Sequence, residues 1–299
     1  MNKKLKIGYF ADGPWGHETF KKLIKDPEIK ISFICVRYDS KDETLKGYAK
    51  LNNIDYIKHK NVNSDKFIST IKKYKCDLFV SMSFNQIFKS KIINLTKYKT
   101  INCHAGKLPF YRGRNILNWV LINDEKEFGI TVHFVDEGID TGDIILQKNF
   151  QIVDQDNYKT LLEKAYIECA NILYDAILLF KKGNVNAYKQ NKIQPEGFYC
   201  GERKKGDEIL NWNQTSREVF NFVRAICMPG PCARTFVDKK EIKINKIELV
   251  DNAPNYKSIV GSVINKTPAN FTVKTKDSFV KVTEFEFDGK IEVGDRFED

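Results

Sequence analysis

The chain has 299 residues, 42% of them hydrophobic and 29% charged, enough for one large or two modest domains, each with its own core. No run of 18 apolar residues occurs, which argues against a membrane-spanning helix, and 12% aromatic residues argues against a disordered chain. The formal net charge of +10, from 49 Lys and Arg against 39 Asp and Glu, favours anionic partners without constraining the fold.

Leu5–Phe10 reads as a short apolar strand, followed by the loop Ala11–Gly16 and a helix from about His17 to Lys25. Ile29–Val36 is a second buried strand, Glu43–Leu51 a Lys-rich helix, and Tyr56–Ile57 a short extended piece. Asp65–Tyr74 has the period of an amphipathic helix and feeds the strand Asp77–Met82; Thr100–Cys103 is another strand. This alternation predicts an α/β fold with a Rossmann-like, doubly wound, mostly parallel sheet, whose ligands bind beyond the carboxyl ends of the strands. The first loop, Ala11–Gly16, reads ADGPWG and lacks the GxGxxG order that cradles a pyrophosphate, which disfavours a nicotinamide dehydrogenase.

Asn115–Leu121 is helical, and Gly129–Val135 and Ile144–Val153 are strands, with a long helix over Tyr158–Lys181. Residues 183–206 mix Gly, Lys, Asn and one Pro and suit a linker between residues 1–182 and residues 207–299. Beyond it come a helix at Ser216–Ile226 and short strands near Thr235–Val237, Ile242–Val250, Val260–Ile264, Phe271–Thr275 and Val280–Phe287. Five short strands with turn signals predict a small β-rich, OB-like barrel domain.

The charge surplus is uneven: residues 207–299 carry 14 basic and 15 acidic side chains, so the excess lies before them. Many of those lysines, as in Phe67–Lys75, belong to solvated helix faces. Seven cysteines without a CxxC pair suit reduced, mostly buried thiols. His17, His59, His104 and His133 have no ligand spacing with them, so no metal is expected. The apolar stretch Ile7–Ala11 is too short for a secretory core, and the expected compartment is the cytoplasm.

The chemistry concentrates in INCHAGKLPFYRG, Ile101–Gly113. Residues two apart on a strand face the same side, so Asn102 and His104 point together at the carboxyl edge of the sheet. A polar pair there is expensive to bury without partners and suggests a cleft. Asp140 lies in EGIDTGD, Glu137–Asp143. An amide, an imidazole and a carboxylate converging on one cleft suit transfer of an acyl group to an amine. The amide and imidazole stabilise the oxyanion; the carboxylate tunes the ring and takes the amine proton. The residues also admit a structural reading, in which His104 is a satisfied strand histidine and Asp140 and Asp143 close a hairpin. A Ser-His-Asp hydrolase is weaker, since no GxSxG elbow is present.

Taken in order, Asn102-Cys103-His104, Leu108-Pro109 with Arg112-Gly113, Gly129-Ile130-Thr131-Val132 and Gly138-Ile139-Asp140-Thr141-Gly142 resemble the folate-dependent formyltransferase superfamily. Asn211–Phe236 resembles the start of that family's C-terminal domain. The resemblance implies catalysis by Asn102, His104 and Asp140, with 10-formyltetrahydrofolate as donor. It places Met82, Ser83, Phe84 and Ile87, together with Val135, Asp136, Gly138 and Ile139, along the pterin pocket.

The acceptor is the finer question. Where methionyl-tRNA formyltransferases carry a Gly- and basic-rich loop, this chain has Val36–Gly47 with Asp39, Asp42 and Glu43. Their His-x-Ser-Leu-Leu-Pro becomes His104-Ala105-Gly106-Lys107-Leu108-Pro109, and residues 207–299 lack the basic footprint that holds a phosphate backbone. Tyr111–Asn123 instead resembles the sugar enzymes, through Arg112, Arg114, Asn118 and Trp119. Arg203, Lys204 and Lys205 would supply cations for one diphosphate, or form part of a solvated linker. Phe198, Tyr199 and Trp212 would stack on a pyrimidine, or serve as packing groups. The expected substrate is a UDP- or dTDP-linked 4-amino-4,6-dideoxy sugar, with methionyl-tRNA as the alternative; neither nucleic acid nor membrane is the expected partner. An exposed face of the β domain would let two copies pair as a homodimer.

Overall fold

The computed structural model describes residues 4–298. Its first elements are β1 (Leu5–Ala11), α1 (Gly13–Leu23), β2 (Ile29–Val36), α2 (Glu43–Leu51), β3 (Asp55–Lys58), α3 (Asp65–Lys72) and β4 (Leu78–Met82). Next come α4 (Ser90–Ile93), β5 (Thr100–His104), β6 (Arg112–Gly113), α5 (Ile116–Ile122), β7 (Glu127–Phe134), β8 (Ile144–Gln151) and α6 (Tyr158–Lys182). The remainder comprises β9 (Tyr199–Cys200), α7 (Ser216–Ile226), β10 (Ala233–Val237), β11 (Lys240–Leu249), β12 (Val263–Lys266), β13 (Phe271–Lys274) and β14 (Phe279–Glu286).

The chain divides into two compact units, neither of them continuous. The first runs to Gly113 and adds Phe128–Phe150 and Glu163–Cys200; the second comprises Arg114–Glu127, Gln151–Leu162 and everything from Gly201 onward.

In the first unit a seven-stranded sheet has the order β3-β2-β1-β4-β5-β7-β8. Strands β1 to β5 are parallel, and β7 runs antiparallel to β5. The order reverses between β1 and β4, the doubly wound pattern, in which the crossover helices cover both faces. Near-continuous apolar runs follow from that double burial, as in β4, where all five residues are buried. Phe10 anchors one face, meeting Phe33, Phe79, Phe84 and Phe88 edge-on at 5.1–5.5 Å between ring centroids.

Helix α1 begins at Gly13, four residues before the expected His17, because Pro14 sits in the first turn, where its missing N–H costs nothing. The pairing of β6 with β9 was not expected: two residues each carry no readable periodicity. No helix among the described residues is long and apolar enough to cross a membrane.

The second unit holds a five-stranded antiparallel sheet of order β10-β11-β14-β13-β12, curled into a half-barrel. Both edges are covered by one tail segment: Glu298 bridges to Phe236 on β10, and Arg296 bridges to Ser262, beside β12. Covering both edges removes the unpaired backbone groups that invite aggregation. Helix α7 packs on this sheet. Thr215 caps it and Glu218 returns the bond, a reciprocal capping box; Val219, Val223 and Ile226 are buried along its inner face.

Candidate active site

Strand register assembles the site. Ser81 pairs with Asn102 across β4 and β5, while Asn102 pairs with His133 and His104 with Thr131 across β5 and β7. Directly opposed residues of an antiparallel pair share a face, so Asn102, His104, Thr131 and His133 form a polar patch at one end of an apolar sheet. Beyond His104 the chain folds back on itself. The Thr131 hydroxyl donates to the Gly106 carbonyl at 2.7 Å, and the Gln147 amide donates to the Leu108 carbonyl at 2.9 Å. This turn aims the Tyr111 carbonyl at His104 Nε2, 2.7 Å away. A Cβ on Gly106 would lie 2.4 Å from that nitrogen and 2.5 Å from the Tyr111 oxygen, so the turn requires glycine.

Asp140 comes from the β7–β8 connection. Asp136 accepts from Gly138 N and the Thr141 hydroxyl, shaping the turn, and Glu137 accepts from Ser90. Asp140 itself is left-handed, with φ +54°, a region that Asp tolerates better than most residues. Its Oδ2 accepts from Gly113 N at 3.0 Å and lies 3.5 Å from His104 Nδ1, and its Oδ1 lies 3.5 Å from His133 Nε2. Burial alone would raise the Asp140 pKa, but the charge of His104, the hydrogen bond and charge of His133 and the Gly113 N–H outweigh it. They hold the carboxyl well below the usual carboxylate range.

Both His104 ring nitrogens therefore face acceptors, a carbonyl at Nε2 and a carboxylate at Nδ1. His133 differs. Its Nδ1 lies 2.8 Å from the Phe134 carbonyl, and its Nε2 lies 3.3 Å from the Asn102 amide nitrogen and 3.5 Å from Asp140 Oδ1.

The structure thus brings Asn102, His104 and Asp140 together and adds His133 and Gln190, neither of which the sequence reading singled out. His133 could have been found by its alternation with Thr131 on an otherwise apolar strand. Gln190 carried no signal within a Lys- and Asn-rich stretch.

Among the expected acceptor-binding residues, Arg112 is committed elsewhere: its guanidinium donates twice to Gln190 and lies over the Tyr199 ring, 5.5 Å from the centroid. Asn118 is buried, and its amide donates to the Ala225 carbonyl, so it ties α5 to α7 rather than presenting a binding group. Trp212 is likewise a core residue, stacked on Phe297 at 5.7 Å, and not a platform for a base. In the second unit Arg203 lies over both Trp119 and Phe222, at 5.9 and 5.5 Å, and Arg114 pairs with Glu202. Lys204 is exposed.

Of the expected pterin-pocket residues, Met82 is buried in the core. Phe84 and Val135 are partly buried against the cluster around Phe10. Ser83, left-handed at φ +56°, receives two bonds from Arg37. Ile87 and Ile139 are large apolar side chains left about half exposed, and Asp136 and Gly138 sit on the same exposed turn. The loops that follow β4 and β7 thus each leave one large apolar side chain uncovered. A cleft of about 620 Å³ beside Asp26, Glu28, Tyr174 and Lys181 contains none of the candidate residues.

The sequence profile described as formyl transferase matches residues 16–177, and that of the formyl transferase C-terminal domain matches residues 203–295. The chain belongs to the formyl transferase family. The methionyl-tRNA formyltransferase of Thermodesulfovibrio yellowstonii is 32% identical over 246 residues, covering 82% of this chain and 77% of that protein. Its counterpart in Clostridium acetobutylicum is 31% identical over 295 residues, 96% of this chain and 93% of that one. The N-formyltransferase from Helicobacter canadensis, solved with folinic acid and dTDP-3-aminofucose, shares the fold. Its TM-score is 0.70 at 23% identity, over 95% of this chain and 100% of that chain.

As a folate-dependent formyltransferase, the enzyme must stabilise charge on a carbonyl oxygen and remove a proton from an amine. Hydrogen-bond donors beside a carboxylate that stays ionised meet both needs.

Proposed function

We propose that this formyltransferase moves the formyl group of 10-formyltetrahydrofolate to the amine of a UDP- or dTDP-linked 4-amino-4,6-dideoxy sugar. The observation that carries the catalytic part is the Asp140 carboxylate, held ionised between two imidazoles and beside Asn102. The donor supplies an activated formyl carbonyl, and Ile87, Ile139, Phe84 and the 135–139 turn would hold its ring system. The Asn102 N–H donates to the carbonyl oxygen as the neutral acceptor amine attacks, and a protonated His104 would stabilise that oxygen by exchanging its Nε2 bond to the Tyr111 carbonyl for one to the formyl oxygen. Asp140 keeps that ring charged and accepts the amine proton, directly or through water; the bond from the formyl carbon to the folate nitrogen then breaks, and the proton passes to that nitrogen as tetrahydrofolate leaves.

For the acceptor, support comes from the near-neutral balance of residues 207–299, from the Arg203 guanidinium between two aromatic rings, and from the Helicobacter canadensis enzyme, which was solved with an amino-sugar nucleotide. A second reading, formylation of methionyl-tRNA, is favoured by the names of the relatives at 31–32% identity.

One assay separates them: tetrahydrofolate release from 10-formyltetrahydrofolate with a panel of UDP- and dTDP-amino sugars and with methionyl-tRNA. Turnover with one sugar nucleotide and none with the tRNA supports the first reading. Turnover with the tRNA alone, with an affinity that falls steeply as salt rises, replaces it with the second. In whichever assay works, His104→Ala and Asp140→Ala should each lose on the order of 100-fold in kcat; near wild-type turnover by a folded variant would refute the catalytic assignment.

A further inference from the structure

We infer that Gln190 is a positioning residue for formyl transfer: its buried amide fixes the backbone of the Asp140 turn, and Arg112 fixes the amide. The inference rests on the catalytic reading of Asp140 given above.

Gln190 lies in the stretch expected to be a linker, yet it is only 4% exposed. Its Nε2 donates to the carbonyls of Asp140 and Gly142, each at 2.8 Å. Its Oε1 accepts from Arg112 Nε at 3.1 Å and Nη2 at 2.7 Å. Every donor and acceptor site of the side chain is in use. The amide orientation is also unambiguous: the flipped amide would set its oxygen against two carbonyls and its N–H groups against a guanidinium.

Asp140 needs such a hold. A non-glycine residue in the left-handed region is conformationally costly and persists where its surroundings over-determine it. Gly113 N–H grips the carboxylate, Gln190 grips the carbonyl of the same residue, and Arg112, adjacent to Gly113, joins the two grips. The path of the guanidinium is prepared as well. A Cβ on Gly197 would lie 2.9 Å from Arg112 Cζ and 2.4 Å from the Pro109 carbonyl, so residue 197 must be glycine for Arg112 to reach Gln190. A buried glutamine with only a packing role has no reason to meet the backbone of a candidate catalytic residue on one side and its carboxylate's donor strand on the other.

The test is a double-mutant cycle on the full chain: wild type, Q190L, D140N and Q190L/D140N. Turnover is followed with 10-formyltetrahydrofolate and whichever amino-sugar nucleotide or methionyl-tRNA the panel supports, below the melting temperature of every variant. Q190L should lower kcat on the order of 10-fold or more, with the KM for the donor changed less than about 3-fold, because a displaced base affects the transition state rather than donor binding. In the D140N background the same substitution should change kcat by less than about 2-fold, since groups acting through one another are not additive. Wild-type kcat in Q190L, or an equal loss in both backgrounds, overturns the inference and leaves the Asp140 reading intact. Wild-type kcat in D140N overturns that reading and this inference with it. Should Q190L fail to fold, R112M serves in the same cycle: it removes the donors to Oε1 and leaves the amide in place, with a smaller loss expected, again absent from the D140N background.

Discussion

Asp140 keeps its charge because two imidazoles and a backbone N–H outweigh its burial. A group whose folded pKa is depressed titrates only in strong acid, so Asp140 stays a carboxylate across the neutral and mildly acidic range. The acid side of the pH–rate profile should then owe nothing to the Asp140 carboxyl. A step in log kcat/KM between pH 6 and 5 that is present in the wild type and absent from D140N would show that Asp140 titrates there after all. His104 depends on a neighbour with no side chain. Gly106→Ala would bring a methyl group to 2.4 Å from His104 Nε2, and the ring must move. A misplacement of about 1 Å can cost on the order of 100-fold, so G106A should lose at least about 10-fold in kcat, measured beside its melting temperature. Asn102 and His104 were legible as a pair from strand alternation. Gln190, which meets Asp140 and Arg112, was not, because adjacency along a returning segment leaves no mark on local spacing.

Helix α7 shows how an element is tied down by charge. Arg217 lies between Asp124 and Asp154, and Arg224 adds a second cation. Burial would raise the Asp124 pKa, but the bonds from Arg217, Lys126 and Asn221 bring it down to about 2. The stability this contributes is fully present above the unfolded value of about 3.9 and is lost as pH falls towards 2. Discounted for the partial exposure of Asp124, it amounts to on the order of 1 kcal/mol. Asp124→Asn should therefore melt lower than wild type at pH 6, with the gap closing as pH falls from about 4 to 2. The long periodic elements were readable to within a few residues, and α7 matched at both ends. The short ones were not: β6 and β9 exist only because each finds the other, and α1 starts early because Pro14 suits a first helical turn.

Across the whole molecule, the two units separate differently from the expected order of domains. Arg114–Glu127 and Gln151–Leu162 join the C-terminal unit, and residues as far as Cys200 stay with the first. In the second unit the tail that covers both sheet edges also carries Phe297, packed on Trp212 and Phe271. Phe297→Ala should leave a cavity and destabilise this unit by about 3–5 kcal/mol, seen as a lower urea midpoint for its transition. Composition and hydrophobic period were enough to predict the doubly wound sheet and the β-rich second half, because those depend on patterns local in the chain, whereas Asn102, His104 and Asp140 were picked out as a set by the resemblance to the formyltransferases. The state of Asp140, the commitment of Arg112 to Gln190 and the burial of Asn118 and Trp212 arise from contacts between segments tens of residues apart. Such contacts exist only once the backbone has closed around them, and no local pattern encodes them.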